Sequence, residues 1–481
     1  MKNKFYITTT LPYVNAEPHI GFALEIIEAD VLARFNRQLL GSENVFFNTG
    51  TDEHGIKVFR KAEELGIDVQ KYCDDKSKSF DELKEILNLS YDNFIRTTDG
   101  RHIEAAQEFW KRCDENGDIY KKTYKVKYCV GCELEKTDSE LVDGKCPLHP
   151  NMELELIEEE NYFFRFSKYQ EKLLALYEKN PEFVLPKKRL NEVRSFVERG
   201  LQDFSISRLK SKMPWGVPVP GNEDQVMYVW FDALVNYISA IGWPNDNEKF
   251  EKWWPVVQLA GKDNLRQQAA MLQAMLMSVG IENSKQIFIN GFIGVNGQKM
   301  SKSLGNVIAP KEMVDKFGTD AARYLLLSFG NFGEDIDASW EKFTEKYNAD
   351  LANGLGNLVS RVIKLAQNFE FRISNFESNS NDQISNLINS LELGRSLEYI
   401  WGIVREANKF IEDNKPWELE KSVENGDGER KKFEEVMKKL ISDLYLISQL
   451  LQPFLPETSD KIKIALNTKE TNPLFSRINT K

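Results

Sequence analysis

The sequence predicts an α/β protein: a split, doubly wound parallel sheet with a small cysteine-bearing domain inserted into it, followed by an all-helical domain. Three observations carry this. Short apolar strands alternate with helices over residues 1–114 and again over 224–290. Three cysteines and a histidine lie at paired spacing between those halves. From about Ser339 onward the apolar periodicity is helical almost throughout.

At 481 residues the chain is long enough for several domains with ample core. Charged residues make up 28% and hydrophobic residues 41%, the composition of a globular protein. The net charge of −11 excludes a protein that coats nucleic acid nonspecifically. It leaves room for a structured RNA held by a local basic face, such as Lys121, Lys122, Lys125 and Lys127, or Lys187, Lys188, Arg189 and Arg194. Apolar windows such as 269–277 are too short to span a bilayer. The first residues show no signal-like apolar run, so a cytoplasmic protein that does not enter membranes is expected.

In order, residues 5–10 form an apolar strand, and Leu11-Pro12-Tyr13-Val14-Asn15-Ala16-Glu17 leads to Pro18-His19-Ile20-Gly21-Phe22. A long amphipathic helix over 20–40 follows, with Pro18 suited to its start. Free amides at a helix start attract phosphate, and an imidazole adds to such a site. Residues 44–48 form a second strand, ending in the loop Thr51-Asp52-Glu53-His54-Gly55, and helix resumes from Ile56. Residues 115–223 carry short strands and turns and end in the Pro- and Gly-rich run 213–221, a boundary signal. Strands then recur at 226–230, 256–259 and 286–289. Ala260-Gly261-Lys262-Asp263-Asn264 stands at a strand end, where Gly261 permits close backbone approach and Asp263 can accept from ribose hydroxyls. Polar stretches at 374–390 and 422–430 read as loops between helices.

Lys299-Met300-Ser301-Lys302-Ser303 places two ammonium groups and two hydroxyls in five residues, flanked by Gly294, Gly297 and Gly305. Such a turn suits a triphosphate whose charge grows in a transition state. Cys129-x2-Cys132, thirteen residues, then Cys146-x2-His149 is the ligand spacing of a zinc knuckle, closed by four protein ligands and therefore structural. Cys73 and Cys113 read as core thiols. Of four histidines only His102 falls outside a motif.

The histidine motif, the lysine pentapeptide and their order resemble the paired signature of class I aminoacyl-tRNA synthetases, and the run from Leu11 resembles the methionyl-tRNA synthetase family in particular. The resemblance covers essentially the whole chain. It implies a Rossmann-like catalytic domain (1–114 and 224–290) split by a connective insertion (115–223, knuckle 129–149). A lysine-loop and stem-contact region (291–340) and an α-helical-bundle anticodon-binding domain (341–481) follow.

It also implies the chemistry: methionine and ATP give methionyl-adenylate and pyrophosphate, and the methionyl group passes to the 3′ end of tRNA(Met). His19, Lys299, Lys302 and Asp263 would be catalytic. Asn15, Gly21, Gly261, Lys262 and Ser301 would join them around ATP, which brings Mg2+. Asp52 would take the α-ammonium group, with Glu25 in support and Arg208 balancing nearby carboxylates or the substrate's. Leu11, Tyr13, Trp230, Ala233 and Tyr237 match the methionine pocket; singly, each is also an ordinary core residue. A thioether suits aromatic walls. Asn357, Arg361, Pro416 and Trp417 match the anticodon reader, using the amide, guanidinium and indole groups that bond and stack unpaired bases.

The chain departs from the family at three places. Phe22 stands where a second histidine is usual, and Gln268 and Leu272 replace a histidine and a tryptophan. Two other readings follow: a class I synthetase for another hydrophobic amino acid, or a tRNA-binding paralogue with impaired activation. With no appended dimerising domain in this chain, a monomer is expected.

Overall fold

The computed structural model describes residues 4–136, 138–300, 305–367, 369–371, 382–422, 427–470 and 472–479. By internal contacts the chain forms two units that interleave along the sequence. The first comprises Met1–Glu17, Asn44–Glu82 and Tyr91–Ile289; the second comprises Pro18–Glu43, Leu83–Ser90 and Asn290–Lys481.

A six-stranded sheet organises the first unit: β1 (Phe5–Thr8), β2 (Val45–Thr51), β3 (Asn93–Arg96), β4 (Val184–Leu185), β5 (Val257–Gly261) and β6 (Gln286–Asn290), in the order β3-β2-β1-β5-β6-β4. β1 pairs in parallel with β2 and β5, β2 with β3, and β6 with β4. The central strands β1, β5 and β6 are buried along most of their length, as a covered parallel sheet requires, while the edge strand β3 is half-buried. Gly50 in β2 has no alternative, because a Cβ there would lie 1.8 Å from the Ile95 carbonyl oxygen. The order reverses across β1 and β5, so the segments after Thr8 and Gly261 emerge at adjacent carboxyl ends, the usual ligand-binding edge of such sheets.

Between β3 and β4 the chain builds three strands of a second sheet around the long antiparallel pair Ile119–Cys129 and Glu155–Phe164, and Phe204–Ser205 adds the fourth after β4. Residues 115–223 are not wholly a separate insertion, since β4 comes from within them. The strand expected over 226–230 ends earlier. Asn222–Met227 is strand, and the helix Val229–Ala233 begins two residues later.

In the second unit the helix Ile20–Leu40 is capped by His19, closed by Gly41 at φ 91°, and packed on Thr319–Ser328. A small sheet joins Ile293–Val295 to Gln298–Lys299 and Ile336–Ala338. The remainder is helical, from Trp340–Lys346 to Pro456–Thr468. The polar stretch read as a loop at 374–390 contains the helix Asp382–Asn389, because Ile384 and Ile388 share one face and are buried. The second polar loop likewise gives way to the helix Asp427–Leu451. Residues 372–381 and 423–426 lie outside the described set. No helix among the described residues is long and apolar enough to cross a membrane.

Candidate functional site

The metal-like cluster assembles as its spacing predicts. One ligand atom from each of Cys129, Cys132, Cys146 and His149 lies within 4.8 Å of the others. The Cys132 and Cys146 sulfurs are 3.5 Å apart, and His149 Nδ1 is 3.2 Å from Cys132 Sγ and 3.8 Å from Cys129 Sγ. A tetrahedral zinc with bonds of about 2.3 Å to sulfur and 2.0 Å to nitrogen has edges of roughly 3.5–3.8 Å, so the donor set fits. Gly131 makes room for it, since a Cβ there would lie 2.4 Å from His149 Cγ.

The knuckle connects to the rest of the first unit through Glu133, a buried residue at φ 52°. Its carboxylate accepts from the Tyr13 hydroxyl at 3.0 Å and from the Lys57 amide at 3.3 Å. Its carbonyl accepts from the Tyr228 hydroxyl. Burial pushes the Glu133 carboxyl up, opposed by Lys57, Tyr13 and Arg208. Arg208 is stacked between Tyr128 and Tyr228, 5.3 and 4.8 Å from their rings, and bonds Ser205 Oγ and Ser207 O.

Leu11 and Tyr13 follow β1. The Asp52 amide bonds Pro12 O at 3.0 Å, so Tyr13 and Asp52 are bridged side by side. Asp52 is buried, and its Oδ1 has no hydrogen-bond partner. Burial pushes its pKa well above the ordinary value, helped by the charges of Asp232 and Glu133. Trp230 stands edge-on to Tyr13 at 6.3 Å, with its indole Nε1 also unpartnered. A buried carboxylate oxygen without a donor, beside aromatic rings, is the chemistry of a site built to receive a cation attached to an apolar group.

Ala233 and Tyr237 continue from Trp230 into the core, where Tyr237 and Leu272 pack in one cluster. Gln268 donates to the Tyr237 hydroxyl at 2.6 Å and accepts from Gln258 at 3.0 Å. Gln268 lies in a π-helical turn, Gln267–Met271; such turns are frequent at functional sites and carry no simple sequence pattern. Gly261 ends β5, and the tight turn Lys262–Asn264 exposes Asp263. A Cβ on Gly261 would lie 2.8 Å from Asp263 Oδ1. Asn15 is half-buried in the turn after Tyr13.

In the second unit His19 Nδ1 accepts from the Gly21 amide at 3.0 Å, folding the exposed ring over the start of its helix. Gly21 is required for this, because a Cβ would meet the ring at 2.8–2.9 Å. The Met300 methyl lies 3.7 Å from that same point. The histidine motif and the lysine segment, nearly 280 residues apart in the chain, therefore meet within one unit. Lys299 pairs with Gly294 in the small sheet, while Ser301 and Lys302 lie outside the described residues. Phe22 is half-buried. Glu25 is buried on the same helix as Glu28, whose carboxyl is pushed up to about 8 by burial, with Glu25 adding to the rise.

Farther along the second unit, Arg361 pairs with Glu412 at 2.7 Å and lies 5.4 Å from the Trp417 ring. Asn357 and Arg361 line a cavity of about 440 Å3 with Trp401, Arg405 and Asn408. Pro416 opens the helix bearing Trp417. A π-helical stretch, Tyr347–Gly356, delivers Asn357 to this groove.

Glu133, Asp232, His102 and Gln258 escaped the sequence reading. Glu133, Asp232 and His102 are single polar residues whose partners lie far along the chain, and Gln258 bonds Gln268 from the preceding strand. Only Asp232 and Glu133, flanked by motif residues, offered any signal.

A parallel sheet carrying polar groups at its carboxyl ends, with a histidine-capped helix meeting a lysine segment, defines a class I aminoacyl-tRNA synthetase. The family described as tRNA synthetases class I (M) matches residues 5–155 and 151–363. A methionine–tRNA ligase of Thermotoga maritima is 41% identical over 95% of this chain and 74% of its own length. One from Synechocystis is 41% identical over 95% of this chain and 88% of its own. Mycobacterium tuberculosis methionyl-tRNA synthetase in complex with methionyl-adenylate superposes with a TM-score of 0.90 at 38% identity, covering 96% of this chain and 93% of that one. The chain belongs to the methionine–tRNA ligase family.

Proposed function

We infer that this protein activates L-methionine with ATP and transfers the methionyl group to tRNA(Met). The observation that carries the reading is Asp52: a buried carboxylate with an unpartnered oxygen, beside Tyr13 and Trp230 at the end of β2. In this reading Asp52 takes the α-ammonium group. Leu11, Tyr13, Trp230, Ala233, Tyr237 and Leu272 enclose the side chain, Gln268 orients the Tyr237 hydroxyl, and Glu25 and Arg208 support the charge balance.

The methionine carboxylate attacks the α-phosphorus of ATP, and pyrophosphate leaves. No enzyme nucleophile is needed, so catalysis is positioning and charge stabilisation. Asn15, Gly21, Gly261 and Lys262 bring backbone and side-chain donors to ATP, and Asp263 accepts from the ribose. His19, Lys299, Ser301 and Lys302 stabilise the charge that moves onto the phosphates, with Mg2+ entering as the ATP complex. The 3′ ribose hydroxyl of tRNA then attacks the adenylate carbonyl and AMP leaves. Asn357, Arg361, Pro416 and Trp417 read the anticodon, using the groove beside Arg361. Cys129, Cys132, Cys146 and His149 hold a structural zinc, which supplies folding energy to the knuckle.

The test is amino-acid-dependent ATP–pyrophosphate exchange with all twenty amino acids in parallel. Exchange with methionine is expected. Exchange with leucine or another apolar residue instead would assign a different substrate, and silence from folded, zinc-loaded protein would indicate a tRNA-binding paralogue.

A further inference from the structure

Asp232 is fully buried and accepts two imidazole hydrogen bonds. His54 Nδ1 lies 2.7 Å from its Oδ2, and His102 Nε2 lies 2.8 Å from its Oδ1. His102 Nδ1 is in turn 2.9 Å from Ser239 Oγ. With Asp232 as the common acceptor, the geometry fixes both tautomers: Nδ1–H on His54 and Nε2–H on His102. His102 Nδ1 is then the acceptor for the Ser239 hydroxyl.

Three members of this chain stand within two residues of a pocket candidate. His54 is two residues past Asp52, Asp232 lies between Trp230 and Ala233, and Ser239 is two past Tyr237. The fourth, His102, is on the helix Gly100–Glu115, which contributes none. The imidazole of His102 therefore bonds two pocket-bearing segments directly, at Asp232 and Ser239, and reaches the third, at His54, through Asp232. Asp232 also lies close enough to Asp52 for their charges to repel. A carboxylate left with one imidazole would be an under-bonded buried charge whose position against Asp52 is no longer fixed.

We propose that His102 is a positioning residue for the amino-acid pocket, acting through Asp232 to hold Asp52 and the aromatic wall in register. This rests on the reading that the pocket takes methionine. His102 does not touch the substrate; it sets where the groups that do are held. The aligned pocket matters because a misplacement of about one ångström can cost on the order of a hundredfold in rate.

The experiment uses the full-length, zinc-loaded protein with His102→Leu, His102→Gln and Ser239→Ala. Pyrophosphate exchange gives KM for methionine and for ATP separately, and 15N imidazole spectra report the His54 tautomer. His102→Leu is expected to raise the methionine KM by roughly tenfold to a hundredfold, to leave the ATP KM unchanged, and to mix the His54 tautomers. His102→Gln retains a donor near the Nε2 position and should recover most of the loss. Ser239→Ala should shift the methionine KM in the same direction by less, and it decides the matter if His102→Leu does not fold.

An unchanged methionine KM with the His54 tautomer intact overturns the proposal. Equal damage to both KM values, or no rescue by glutamine, assigns His102 a merely structural role and overturns it too. Unsubstituted protein that fails to activate methionine overturns the proposed function itself, and the inference with it.

Discussion

In the proposed function, Asp52 serves binding against stability. Burial, with Asp232 and Glu133 adding, raises its pKa in the folded protein. Folding therefore takes up a proton there. That contribution is full below the ordinary carboxylate value near 4 and is lost as pH rises through the raised one. At neutral pH the raised value costs stability, because the unfolded chain gives up this proton more readily than the buried site does. Asp52→Asn should then raise the thermal midpoint at pH 7.5, with the difference vanishing in acid. The same change should raise the methionine KM by roughly a hundredfold, since removing one partner of a buried charge pair costs about 2–5 kcal/mol. A midpoint that falls would refute the stability argument; an unchanged KM would refute the role. At Phe22 the reverse substitution is informative. Phe22→His adds a donor one turn into the helix that His19 caps, and faster pyrophosphate exchange is expected if that donor stabilises the transition state.

Among elements, the knuckle and the histidine helix were the most legible in the sequence, because each is specified locally. Pro18, His19 and Gly41 bracket the helix, and the observed bounds, Ile20–Leu40, match the expected ones. The Cys and His spacing alone brought four ligands together. Elements fixed by distant contacts were less legible. Val229, Trp230 and Phe231 have strand propensity, yet tertiary packing around Asp232 turns them into helix. The two π-helical stretches, at Gln268 and before Asn357, left no mark in the apolar periodicity. For the knuckle we expect Gly131→Ala to lower the zinc content measured by mass spectrometry, because the added methyl occupies the space of the His149 ring. Removing zinc with a chelator should raise the methionine KM before the sheet unfolds. Glu133 lies next to Cys132 and holds Tyr13 and Tyr228 through its own bonds. A circular dichroism change that precedes the KM change would contradict that order.

At the scale of the whole molecule, the interleaving of the two units escaped the sequence because its decisive contacts join residues hundreds of positions apart. Arg323 is the clearest of them. Its fully buried guanidinium bonds Asp30 Oδ2 at 2.8 Å, Phe454 O at 2.7 Å and Leu87 O at 3.0 Å. Burial alone would raise the Asp30 pKa, but Arg323, Arg34 and Ser90 outweigh it and hold the carboxyl below its ordinary value. That stabilisation is present above about pH 4 and is lost as pH falls through the depressed value. Arg323→Met should cost about 3–5 kcal/mol by removing the fully buried one of the two guanidinium groups that pair with Asp30, and equilibrium denaturation at pH 7.5 would measure it. The penalty should shrink as Asp30 protonates in acid.

The distance between Asp30 and Arg323 also sets a schedule for synthesis. The helix Ile20–Leu40 leaves the ribosome early, yet the arginine that neutralises its buried aspartate is made 293 residues later. At elongation rates of about 5–20 residues per second, the wait is on the order of tens of seconds. Throughout it the helix lacks the Thr319–Ser328 surface on which it packs in the folded protein. The nascent chain therefore presents a long-lived chaperone client at its N-terminal end, and slow translation would lengthen its exposure rather than help it fold.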